Sequence, residues 1–180
     1  GRYDFYVEGI DAAGNKETKG QAAEASTVVD VTPPTTILKP QVPKGTGGKP
    51  IFNSTDVPVK FDASDNNELL VVRIMYSRSD DNSSNWSPWK EGYRLAGGGA
   101  KVIGNKQATV KLQGDGFYKL EPATIDGANN TEDNSSRVVY LKVDSVVPEV
   151  LTSEPSNGAK DIPLSPEIKI TFSESMDRTS

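Results

Sequence analysis

The phrase IDAAGNKE, Ile10 to Glu17, returns as IDGANNTE, Ile125 to Glu132, 115 residues along the chain. In a wider frame GRYDFYVEGIDAAGNKE lies over GFYKLEPATIDGANNTE. Gly1 then meets Gly116, Tyr3 meets Tyr118, Asp11 meets Asp126, Asn15 meets Asn130 and Glu17 meets Glu132. After a one-residue slip VVDVTPP meets KVDSVVP, which aligns Asp30 with Asp144 and Pro34 with Pro148. Self-similarity at a fixed period marks an array, and this period is the size of an independent domain rather than a solenoid unit. It predicts one complete module over residues 31–145. Residues 1–30 read as the closing hairpin of a preceding module, and 146–180 as the opening strands of a following one. The chain then reads as a piece of a longer protein.

Within the complete module, short alternating runs are broken by Gly, Pro, Asn and Asp. VPVKFDA places Val57, Val59, Phe61 and Ala63 on one face, and LLVVRIMYS does the same for Leu70, Val72, Ile74 and Tyr76. TTILK, WKEGYRL, QATVKL, GFYKLEPATI and RVVYLKV supply further strands. No helical period is present. The pattern predicts an all-β chain whose complete module is an antiparallel sandwich of about seven strands. Pro58 and Pro122 fall inside strand runs and predict edges or bulges, because proline cannot donate to a ladder. AGGGAKVIGNK, Ala96 to Lys106, reads as a loop.

The repeated phrase has a local explanation. An Asp side chain after a strand accepts hydrogen bonds from the next backbone N–H groups, and Gly14 or Asn129 tolerates positive φ. Asp11–Asn15 and Asp126–Asn130 are therefore expected to be hairpin turns.

Composition removes most chemistry. The chain has no Cys and no His, which excludes disulfides, thiol catalysis, His-based triads and the usual zinc sites. A net charge of -5 makes nucleic acid and anionic membrane poor partners. No run reads as membrane-inserting.

The segment GRYDFYVEGIDAAGNKE followed by VVDVTPPTT resembles the close of one module and the start of the next in fibronectin type III-like or bacterial Ig-like repeats. IMYSRSDDNSSNWSPW is similar to the third-strand tyrosine and loop tryptophans of the same modules. PSNGAKDIPLSPEIKITFSESMD, Pro155 to Asp177, resembles the first strands of a different, S-layer-type Ig-like domain. The resemblance implies rod-forming or interaction modules of secreted or cell-surface proteins, and it names no ligand.

Four sets of residues are candidates for function. Asn-x-Ser/Thr sequons occur at Asn53, Asn82, Asn85, Asn129 and Asn134, more than the roughly two that composition predicts. Glycosylation there would make the protein an extracellular glycoprotein. Asp126, Asn129, Asn130, Glu132 and Asp144 carry oxygens of the kind calcium takes, and are expected ligands at the junction with the following module. Trp86, Trp89 and Tyr93 could form an aromatic platform for sugar rings. Asp65 and Glu68 are the one carboxylate pair worth considering for glycoside hydrolysis. The leading expectation is a non-catalytic spacer or adhesion module, without cofactor unless calcium binds. Its expected partners are its neighbouring modules and possible surface glycans or proteins. The alternative is a carbohydrate-binding accessory module of an exported enzyme.

Overall fold

The computed structural model describes residues 1–42, 50–133 and 137–176. The strands are β1 (Arg2–Phe5), β2 (Ala25–Val28), β3 (Thr35–Pro40), β4 (Ile51–Phe52), β5 (Asp56–Ser64), β6 (Leu69–Ser79) and β7 (Lys90–Ala96). They continue as β8 (Val102–Lys111), β9 (Gly116–Pro122), β10 (Ile125–Asp126), β11 (Val139–Val143), β12 (Val150–Glu154) and β13 (Lys169–Phe172). One sheet runs β3-β5-β8; the other runs β10-β6-β9-β11-β4 and also carries β7 on β6. The two sheets close on a single core, and the chain is all-β with an Ig-like sandwich at its centre. The pairs β1–β2 and β12–β13 form separate two-stranded sheets on either side of it in sequence.

The alternation in β5 sets the core. Val57, Val59, Phe61 and Ala63 all point inward and are buried, with Val72, Ile74 and Tyr76 of β6 facing them. Burying side chains of this size contributes about 1.5–3 kcal/mol each. Leu70, expected inside with the β6 residues, is 53% exposed, and Leu69 is buried instead. β6 bulges at Leu70, because Ile125 of β10 pairs with Val71 and Asp126 with Leu69, so the alternation shifts by one residue. Leu69 N–H donates to Ala100 O, and Gly97 sits so close to the Leu69 carbonyl that no Cβ would fit there.

Both prolines lie in interior strands rather than at edges. Pro58 is on β5, the middle strand of its sheet, but its carbonyl accepts from Gln41 N–H. Its nitrogen therefore faces the same side, where β3 runs out at Pro40. Pro122 ends β9. The next residue, Ala123, donates to Arg73 O, so the Pro122 nitrogen faces the other way, beyond the first β11 pair of Val139 with Leu120. At Pro122 no ladder bond is lost, and at Pro58 the loss is confined to the pair just past the end of β3, where Gln41 N–H still reaches the Pro58 carbonyl. The glycine-rich loop is shorter than the sequence suggests, because β8 already begins at Val102. One pair is not antiparallel: β4 runs parallel to β11, with Ile51 opposite Lys142 and Phe52 opposite Val143.

Tyr118, fully buried, reaches back from β9 to donate to Gln113 O at 2.7 Å and Gly114 O at 2.8 Å. This is the tyrosine corner of Ig-like sandwiches, and its ring also meets Tyr76 edge-on. Tyr3, its aligned partner, lies opposite Thr27, as Tyr118 lies opposite Leu141. After the one-residue slip, β1–β2 and β9–β11 have the same register.

Replacing Tyr118 by Phe keeps the ring and leaves two carbonyls short of a donor. The expected loss is about 1–2 kcal/mol, read from the urea midpoint. A second expectation concerns acid. The Asp62 carboxyl is held below the usual carboxylate range by the Asn105 N–H and then by the Lys39 ammonium, which ties β3 to β5 and β8. A depressed folded pKa contributes stability above the unfolded value, about 3.9 for Asp, and that contribution is lost as pH falls through the folded value. Asp62→Asn should lower the urea midpoint at neutral pH, and the gap from wild type should close on acidification.

Candidate functional site

The repeated phrase folds twice into the same turn. Asp11 N–H donates to Asn15 O at 3.0 Å, and Asp126 N–H donates to Asn130 O at 3.1 Å. In return, the Asp11 Oδ1 accepts from Asn15 N–H at 2.8 Å, and the Asp126 Oδ1 accepts from Asn130 N–H at 2.7 Å. The Asn side chain completes each clamp, Nδ2 to Asp Oδ2, at 2.7 Å and 2.8 Å. Gly14 and Asn129 hold φ of 85° and 69° at the equivalent place. Where the first turn is exposed, these bonds lower the Asp11 pKa, the Asn15 side chain most of all.

In the second turn the carboxylate itself is buried. Asp126 is 0% exposed, and Asn130 Nδ2 also donates to the backbone carbonyl of Asp30 at 3.1 Å. That bond docks the segment entering the sandwich onto the hairpin. Asp65, in the loop after β5, completes a group: one carboxylate oxygen each from Asp30, Asp65 and Asp126 lies within 4.8 Å of the others. Asp30 Oδ1 accepts from Thr32 N–H and Asn66 Nδ2, and Asp65 Oδ1 accepts from Asn67 N–H. The remaining oxygen of each, Asp30 Oδ2 and Asp65 Oδ2, is shut off from solvent with no hydrogen-bond partner.

The five residues expected to share calcium do not converge. Asp126 lies beyond the far end of β9, beside the first residues of β6, whereas Asp144 follows Val143, which pairs with Gly116 at the start of β9. A strand of that length separates them by roughly 20 Å. Asp144 is instead paired with Lys142 Nζ at 2.6 Å. Asn130 turns its NH2 toward the acids, as a donor rather than a ligand, and Asn129 is an exposed turn residue. Glu132, 4% exposed, accepts from Thr36 N–H at 2.5 Å and from Arg137 at 2.6 Å, stapling β3 to the hairpin. In the sequence Asp30 stands out only through the repeat and Asp65 only beside Glu68, and no spacing joins the two.

The aromatic trio is also dispersed. Tyr93 packs inward, edge-on to Phe61 at 5.9 Å. Trp86 lies on the outer face of the same sheet, 6.3 Å from Tyr140, with Lys119 Nζ 4.0 Å from its ring centre. Trp89 is 41% exposed. Glu68 is exposed and stands outside the carboxylate group that contains Asp65. Of the sequons, Asn53, Asn82, Asn85 and Asn129 are exposed, and Asn134 lies outside the described residues.

Asp126→Ala would strand the Asn130 N–H and Nδ2 in a part-buried turn. In chelator it should cost about 2–3 kcal/mol by urea titration, while Asp11→Ala in the exposed copy leaves the midpoint nearly unchanged.

No curated protein matches this chain. Among the described residues no helix is long and apolar enough to cross a membrane, which leaves strand-built barrels untouched. Residues 144–180, the segment that holds β12 and β13, match the family model of the bacterial Ig-like domain, a structural and generally non-catalytic module common in surface proteins.

Proposed function

We propose that the chain is part of a series of Ig-like modules acting as a spacer in the extended region of a secreted or cell-surface protein. Residues 1–30 close one module, 31–145 form a complete one, and 146–180 open a third of a different type. The observation that carries this reading is the doubled hairpin. Two segments 115 residues apart share their turn hydrogen bonds, their positive φ and their strand register. Such agreement is what two copies of one module would have.

Three further features support it. All the buried core residues fall between Phe52 and Val143, so the central sandwich has a core of its own. The outer hairpins leave Tyr3, Phe5, Val28, Leu151 and Ile170 exposed, as strands do when the sheet that would cover them is missing. The linker Val31-Thr32-Pro33-Pro34 has φ fixed at two successive positions, which limits the angles between neighbours. The partners of this module are then its own neighbours, with glycans or proteins at the surface as secondary contacts.

Limited proteolysis should release a resistant core close to residues 31–145, and small-angle scattering of the whole chain should give an elongated particle. Uniform protection with a compact scattering profile would rule the reading out.

A further inference from the structure

Asp30, Asp65 and Asp126 come from three separate parts of the chain: the segment entering the sandwich, the loop after β5, and the hairpin after β9. Carboxylates brought this close repel one another unless something positive lies between them. Among the described residues none of the three takes part in an ion pair. A second observation is independent of the clustering. Asp30 Oδ2 and Asp65 Oδ2 are both sealed from water and accept no hydrogen bond, although each neighbouring Oδ1 is satisfied by its own turn. A buried carboxylate oxygen without a donor is costly and calls for an ion or a water.

We propose that these three carboxylates bind a calcium ion at the entrance of the central module. The donors are all hard oxygens, which suits calcium or magnesium rather than a transition metal. One oxygen from each carboxylate, within 4.8 Å of the others, can reach a shared ion. The flexible shell of calcium, about six to eight oxygens, suits a site built from three loops better than the strict octahedron of magnesium, which dehydrates reluctantly. Water and backbone carbonyls supply the remaining positions of a calcium shell.

The aligned position at the other junction shows why only one end would bind. Asp144 has Lys142 two residues before it and pairs with its ammonium. Two residues before Asp30 stands Val28, so Asp30 has no such partner. An ion held by Asp30, Asp65 and Asp126 would fasten the incoming linker to two loops of the sandwich. The metal site stands on these residues alone; its role as a stiffener of the junction rests on the module reading.

The test is scanning calorimetry of the full 180-residue chain in millimolar calcium against chelator, with isothermal titration for stoichiometry. Calcium should raise Tm by about 3–10 °C and bind at one site, because a ligand of the folded form stabilises it by mass action. Asp65→Asn keeps an oxygen for the Asn67 N–H and should abolish the shift, as should Asp30→Asn if the first variant folds poorly. Asp144→Asn should retain it. Superimposable melts of the wild type would overturn the proposal, as would a shift that survives in both Asp65→Asn and Asp30→Asn. A larger shift with magnesium would overturn the choice of ion. Scattering with and without calcium reads the stiffening separately, so the spacer reading and the metal site can fail independently.

Discussion

The Asp126 carboxylate is the point on which one end of this protein turns. It is wholly buried, it closes the β10 hairpin through both the backbone and the side chain of Asn130, and that same Asn130 amide reaches the carbonyl of Asp30. One charged group thus fixes the shape of a turn and, through its partner, the place where the chain enters the sandwich. Charge-assisted hydrogen bonds are the strongest available for such a task, and they need no metal to form the turn itself. The exposed Asp11 turn has the same bonds without burial or a third partner, so the turn is local chemistry and the docking is context.

The rest of the sandwich relies on ordinary packing. With no cysteine in the chain, no disulfide can join the sheets. Their contact is made by inward rows from β5, β6 and β9, tied at one corner by the Tyr118 hydroxyl and filled by edge-on pairs of Tyr76 with Tyr118 and Phe61 with Tyr93.

How much of this was legible in the sequence depended on whether the cause was local. Strand faces with period-two alternation were readable, so Val57, Val59, Phe61 and Ala63 fell on the core side as expected. The Asp–Asn turn was readable because its partners are four residues apart. Leu70 was misread because β6 slips by one residue against β10 there, with Val71 opposite Ile125 but Leu69 opposite Asp126, which alternation cannot register. In the sequence Pro58 and Pro122 point to edges or bulges, since a sequence does not reveal where the neighbouring strand stops. The site suffered most. Asp30, Asp65 and Asp126 meet only because the sandwich brings its entry segment and two loops to the same end, and sequence spacing gave equal weight to Asp144 at the opposite end. Trp86 and Tyr93 are close in sequence, yet they lie on opposite faces of a sheet.

The parallel pairing of β4 with β11 has a mechanical consequence. The chain enters the sandwich beside Asp126 and leaves it at Asp144, at opposite ends. A pull on these two ends runs along the strands and loads β3, paired with β5 from Thr35 to Pro40, before it reaches β4, which is then drawn in the opposite direction to β11. The bonds from Lys142 N–H to Pro50 O and from Asp144 N–H to Phe52 O lie across that line, so both are sheared together instead of opening one after the other. A hairpin pulled from its open end peels bond by bond at low force. Here, once β3 has left β5, the next resistance is the simultaneous rupture of a short clasp, which gives the module a yield point rather than a gradual stretch.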